Sequence, residues 1–152
     1  MTEYLIDTNV LVYAYDPTEP VKSARARAVI ATLAERGAGS LTAQVLGEFF
    51  RVVTRKIPNP LNLEEAERSV TTYVRTWRVL DVTGWTALEA VRGVRRYQLP
   101  LWDSMIWASA KQHQVPNVLS EDFNTGALIE GVRFVNPFVG DFDAEHLSAE
   151  AR

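Results

Sequence analysis

YLIDTNVLVYAY, residues 4–15, is the stretch on which the fold turns. TEYLI, at 2–6, is a short run of the kind that fills a buried strand, and it ends at Asp7. Thr8 and Asn9 then turn the backbone into an apolar helical segment, VLVYAY. A carboxylate at the margin of a core costs several kcal/mol to desolvate unless something compensates it, so Asp7 needs a reason to be there. An Asp at that point is an ordinary N-cap, which is one reason; a shared cation is another.

Working outward, Asp16-Pro17 and Pro20 break the chain. A helix then follows over about 21–36, with Val21, Ala24, Ala28, Ile30, Ala31 and Leu33 at roughly helical spacing, and Gly37 to Gly39 end it. SLTA, at 40–43, reads as a second strand or a helix entry. The next helix runs from about Thr42 to Arg55 with Val45, Leu46, Phe49, Val52 and Val53 on its apolar side. IPNPLN cannot continue it, because prolines remove donors and restrict the residues before them. Asn62 and Glu65 fit a capping box for a helix over 63–77, VLDV at 79–82 reads as a strand, and a helix runs from Trp85 to about Tyr97. After Pro100 comes a helix whose first turn holds Asp103, on one face with Ile106, Trp107 and Ala110. NVLS at 117–120 and VRFV at 132–135 complete five expected strands, and about Gly140 to Arg152 reads as an acidic tail or small docking helix. Strands alternating with helices predict one α/β layer system around a mainly parallel sheet, whose ligand sites gather at the carboxyl ends of the strands.

Four acids sit at element ends or beside apolar stripes: Asp7, Glu48 in LTAQVLGEFFRVV, Asp103 in LPLWDSMIWASA and Asp122 in VPNVLSEDF. Each has an ordinary alternative. Asp103 suits the free amides of a helix start, Glu48 suits pairing with Arg51 or Arg55, and Asp122 suits turn chemistry in which Glu121 competes. Taken together they predict one acidic cleft. Hard Mg²⁺ or Mn²⁺ prefers carboxylate and water oxygens, and in phosphodiester cleavage such ions orient and acidify water and neutralise the transferring phosphate.

These quoted segments, with VRFVNPF after VLSEDFNTG, resemble PIN-domain ribonucleases, and more specifically the VapC-like toxins of type II toxin–antitoxin systems, over roughly residues 3–138. The resemblance implies a three-layer α/β/α sandwich with a central, mainly parallel sheet, the PIN domain covering 1–140 and a tail 141–152. It implies a Mg²⁺-dependent endoribonuclease, with Mn²⁺ as a substitute, that hydrolyses RNA to a 3′-hydroxyl and a 5′-phosphate. Asp7, Glu48, Asp103 and Asp122 match the family's metal-binding acids, and Thr8 and Ser120 match its supporting polar residues. A small cognate antitoxin covering the cleft, a homodimer and a cytoplasmic setting are implied as well.

The 152 residues suit one domain with a sizeable core, and 47% hydrophobic content supports it. Cys is absent, which excludes a disulfide scaffold, a Cys-ligated zinc site and a thiol nucleophile. There is no signal-like segment and no apolar run of membrane-spanning length, so no membrane partner is expected. The net charge of −3 advertises no polyanion partner globally, although a basic rim suffices for one. Arg51 and Arg55 are candidate RNA phosphate contacts, Arg92, Arg95 and Arg96 another candidate rim, and both sets also fit solvated helix faces. His113 and His146 form no ligand motif, and His113 suits a helix end. The four Trp and five Tyr could supply stacking platforms, but Trp85, Trp102 and Trp107 also fall at expected core positions, and core packing is the reading taken. Two further functions compete: a PIN-like nuclease acting in RNA processing or on DNA, and an inactive interaction module.

Overall fold

A computed structural model describes residues 2–145 and 147. Strand β1 (Tyr4–Ile6) leads into helices α1 (Thr8–Tyr13) and α2 (Pro20–Arg36). Strand β2 (Gly39–Thr42) and helices α3 (Ala43–Arg55) and α4 (Leu63–Thr76) follow, then β3 (Arg78–Leu80). Helices α5 (Gly84–Tyr97) and α6 (Leu101–Gln112) precede β4 (Asn117–Leu119), β5 (Leu128–Ile129) and β6 (Val132–Val135). The sheet order is β3-β2-β1-β4-β6-β5, parallel throughout except for the antiparallel β5–β6 pair, and this is the expected α/β sandwich.

Local chemistry explains most boundaries. Asn62 and Glu65 make the expected capping box, with the Glu65 amide donating to Asn62 Oδ1 at 2.8 Å. Pro20 opens α2 and Gly37, at φ 60°, closes it in the left-handed region that favours glycine. The central strands are buried on both faces, so β1 reads as an unbroken apolar run and β4 as Val118-Leu119 after a buried Asn117. No described helix is long and apolar enough to cross a membrane.

Four expectations need correction. The buried face of α2 is Ser23, Ala26, Val29 and Leu33, whereas Val21, Ala24, Ala28 and Ala31 are exposed. Alanine fits either side of a helix, so an alanine-rich stripe does not choose the face. A sixth strand, β5, pairs with β6 through a two-residue turn in which Glu130 (φ 48°) and Gly131 (φ 87°) both have positive φ. Trp85 and Trp102 are 75% and 66% exposed, and of the three tryptophans expected in the core only Trp107 is there. The third strand starts at Arg78 and leaves out Asp81 and Val82. The expected tail at 141–152 falls partly outside the described residues, as does His146; within them, Leu147 is buried in the core and Phe142 packs against it.

The junction that carries Asp103 is the contact of α5 with α6. Gly93 faces Ser104 and Trp107 so closely that a Cβ there would lie 2.7 Å from Trp107 Cζ3 and would strike Ser104 Oγ. Ser104 Oγ donates to the Ala90 carbonyl at 2.7 Å, and Trp107 Nε1 donates to the Ile129 carbonyl at 3.1 Å. Around the edge of Trp107, Arg92 and Lys111 hold Glu89 and Glu130 at 2.6–3.1 Å. Gly93→Ala is expected to push α5 from α6 and destabilise the protein by about 1–3 kcal/mol, the usual cost of overpacking, measured as a lowered urea midpoint with unchanged m. A midpoint equal to wild type contradicts the close packing described here.

Candidate metal and active site

Asp7 leaves the carboxyl end of β1 and caps α1, so its ordinary structural role is real. Its Oδ1 accepts the Thr8 amide at 2.7 Å and its Oδ2 accepts the Ser120 hydroxyl at 2.7 Å. Ser120 follows β4, and its Oγ accepts the Asp122 amide at 3.1 Å. Asn9 completes the stitch: its Nδ2 lies 3.2 Å from Ser120 Oγ, 3.3 Å from Asp122 Oδ2 and 3.5 Å from Asp7 Oδ2, and its Oδ1 accepts the Glu121 amide at 3.4 Å. The loops after β1 and β4 are thereby fixed to each other.

Asp103 arrives from the first turn of α6. Asp7, Asp103 and Asp122 each bring one carboxylate oxygen to within 4.8 Å of the others, the first buried, the second half-buried and the third exposed. Glu48, on α3, stands apart from this trio. It lines the same cavity, of about 460 Å³, and pairs with Arg51 at 3.5 Å. Thr8 also lines the cavity. Neither Arg51 nor Arg55 is in the lining; the basic residue there is Lys56, just past α3. Arg92 is committed to Glu89 and Glu130 and lies outside the cavity with Arg95 and Arg96. His113 caps α6, its Nε2 2.9 Å from the Asp81 carbonyl.

The choice between Glu121 and Asp122 is made by neighbours. Glu121 is engaged by the Tyr13 hydroxyl at 2.6 Å and Lys22 Nζ at 3.1 Å, and Asp122 is the one that joins Asp7 and Asp103. Sequence reasoning overlooked the bridging role of Asn9 and the cavity position of Trp102, and among Arg51, Arg55 and Lys56, which follow Glu48, it favoured the two arginines where the cavity takes the lysine. Asn9 was visible as part of Asp-Thr-Asn, but its partners lie 111 and 113 residues away.

Electrostatically the trio is unfinished. Burial pushes the Asp7 carboxyl up to about 6, against the pull of the Ser120 and Thr8 hydrogen bonds, and the charges of Asp122 and Asp103 raise it further. Burial, then the charge of Asp122, pushes Asp103 up to about 6. None of the ion pairs among the described residues includes these three acids. Converging carboxylates that repel one another, with the Ser120 hydroxyl beside them and no sulfur, fit a hard divalent cation such as Mg²⁺ or Mn²⁺.

A raised carboxyl pKa means that the folded state binds more protons than the unfolded chain between about pH 4 and 6, so stability falls as pH rises through that window. Without metal, Asp7 is expected to make the protein about 1 kcal/mol more stable at pH 5 than at pH 7, on top of a contribution of the same sign from Asp103, and Asp7→Asn is expected to remove the Asp7 share and leave that of Asp103. Glu130, held near 2 by Tyr97, Arg92 and Lys111, titrates below this window and leaves it undisturbed. Urea titrations in EDTA at the two pH values measure it; equal pH dependence in wild type and variant contradicts the burial of a charged Asp7.

The PIN domain family model matches residues 4–126. No curated protein matches the chain by sequence. Among solved structures, a toxin–antitoxin complex from Klebsiella pneumoniae is similar with a TM-score of 0.64 and 20% identity, over 90% of this chain and 98% of that one. The DNA-bound VapBC of Salmonella typhimurium is similar at 0.63 and 17%, over 90% and 99%. VapC20 of Mycobacterium tuberculosis, a toxin that cleaves the sarcin–ricin loop, is similar at 0.60 and 16%, over 76% and 87%. These likenesses are of fold, and with the family model spanning most of the sequence and all six strands in one α/β sheet, the chain belongs to the PIN domain family.

Proposed function

We propose that the protein is a metal-dependent endoribonuclease toxin of the VapC type, held in check by a small antitoxin. The observation that carries this reading is the convergence of Asp7, Asp103 and Asp122 in a PIN-fold cavity, with none of the ion pairs among the described residues including them. These acids would hold Mg²⁺ or Mn²⁺, and Glu48, from α3, would contribute directly or through water. A bound ion supplies acidified water and neutralises charge on the phosphate and the leaving oxygen.

The chain's own residues set orientation. The Thr8 amide occupies one lone pair of Asp7 Oδ1 and leaves the other for a cation, while Oδ2 accepts from Ser120 at 2.7 Å and, more weakly, from Asn9 at 3.5 Å. Asn9 keeps Asp122 beside Asp7, and the Lys22–Glu121 pair anchors the residue next to it. Because Asp7 and Asp103 hold protons up to about pH 6, cation binding competes with protonation and activity falls on acidification through that region. RNA is the proposed substrate, in single-stranded or looped form. The toxin–antitoxin complexes among the structural neighbours support an antitoxin partner; in this proposal it lies over the acidic cavity, and two copies of the toxin form the assembly.

Cleavage of total RNA by the purified protein in Mg²⁺ or Mn²⁺ tests this, with matched DNA, EDTA and a folded Asp7→Asn/Asp103→Asn variant alongside. Discrete RNA products are expected from the metal-loaded wild type alone, and the variant is expected to lose more than about 100-fold in rate, beyond the loss of a single outer-shell partner. Cleavage of DNA in preference to RNA favours a PIN-like nuclease acting on DNA, and no cleavage across metals and pH, once any copurified partner is removed, rejects the nuclease reading. Ser120→Ala is expected to weaken Mn²⁺ binding roughly 10- to 100-fold, because it frees Asp7 to rotate; calorimetric titration measures it, and unchanged affinity rejects the orienting role.

A further inference from the structure

The cavity has a second zone that acid chemistry does not use. Beyond the carboxylates its wall is apolar, with Val45, Val52, Ile57 and Ile106, and two exposed side chains stand on it: Trp102 and Lys56. Trp102 is 66% exposed, at the start of α6 beside exposed Leu101 and ahead of the buried stretch that begins at Ser104, and it directly precedes Asp103. No structural partner accounts for it: Trp102 stacks on no other aromatic ring and its indole makes no hydrogen bond among the described residues. Lys56 is exposed and belongs to none of the ion pairs among the described residues. An open aromatic face, an apolar wall and a free ammonium group next to a phosphodiester-cleaving centre match one ligand chemistry: an unstacked nucleotide, its base on the ring and its phosphate near the cation.

We infer that Trp102 is the stacking platform for the base of a single-stranded RNA nucleotide beside the scissile phosphate, with Lys56 holding an adjoining phosphate. This deepens the ribonuclease reading and rests on it. Stacking of this kind tolerates every base, so Trp102 selects for single-stranded or flipped-out nucleotides and leaves sequence preference to other contacts. Duplex RNA, whose bases are already stacked, is disfavoured.

The test uses short single-stranded RNA spanning a mapped cleavage site, with wild type, Trp102→Ala, Trp102→Phe and, as a control outside the cavity, Trp85→Ala at a tryptophan that is also exposed. Trp102→Ala is expected to lower kcat/KM about 5- to 150-fold, whereas Trp102→Phe stays within a few-fold of wild type and Trp85→Ala is unchanged. Removing substrate bases one at a time is expected to reveal one abasic position that costs wild type a similar factor and costs Trp102→Ala nothing further. Equal kcat/KM for wild type and Trp102→Ala overturns the platform and leaves the ribonuclease reading standing, as does a loss that no abasic position reproduces. In EDTA, titration with the same single-stranded RNA is expected to quench tryptophan emission, and Trp102→Phe is expected to remove the quenching. If wild type cleaves no RNA, the ribonuclease reading has failed, and this emission decides the platform separately: quenching that Trp102→Phe removes upholds it, and unchanged emission overturns it.

Discussion

The parallel pairing of β1 with β4, with Ile6 opposite Leu119, is the constraint on which the site depends. Two strands running the same way leave the sheet at the same edge, so the residues that follow them, Asp7 on one side and Ser120 to Asp122 on the other, meet without any loop having to reach. An antiparallel pairing puts those segments at opposite edges. The Ser120–Asp7 hydrogen bond and the Asn9 bridge then lock a meeting that topology has already arranged.

The third acid depends on a different part of the fold. Asp103 is placed by α6, and α6 is placed by the glycine-mediated approach of Gly93 to Ser104 and Trp107. The charge network of Arg92, Lys111, Glu89 and Glu130 surrounds Trp107 and ties α5 and α6 to the β5–β6 turn. Several kinds of packing thus converge on one carboxylate in the cavity. Holding like charges together against their repulsion and against desolvation costs stability, and a fold keeps such an arrangement where a ligand offsets that cost.

Much of this was legible in the sequence because it is local. A strand that stops at an acid, an acid in the first helical turn after a proline, and a capping box at Asn62 are each written within a few residues, and alternating strands and helices set the sheet. The Asp-Thr-Asn stretch and the late Ser-x-Asp also carried the likeness to the PIN family, which the family model bears out over residues 4–126. What escaped needed the third dimension. Asn9 acquires its role only when residues 120–122 arrive beside it, and Glu121 is distinguished from Asp122 only by Lys22 and Tyr13. Strand β5 is two residues long, and its Glu-Gly turn carries a weaker signal than Asn-Gly. Trp102 was read as core because helical spacing says which residues share a face, and the burial of that face depends on the elements that cover it; here the end of α6 opens onto the cavity.

The central claim, that Asp7, Asp103 and Asp122 form a divalent-cation site, is tested most directly by anomalous diffraction from crystals of the protein soaked in Mn²⁺. The account predicts a manganese peak within coordination distance of these three carboxylates, with Glu48 facing it, and its loss in Asp7→Asn. Crystals in which manganese binds elsewhere while the three acids remain paired with protein groups alone would contradict it.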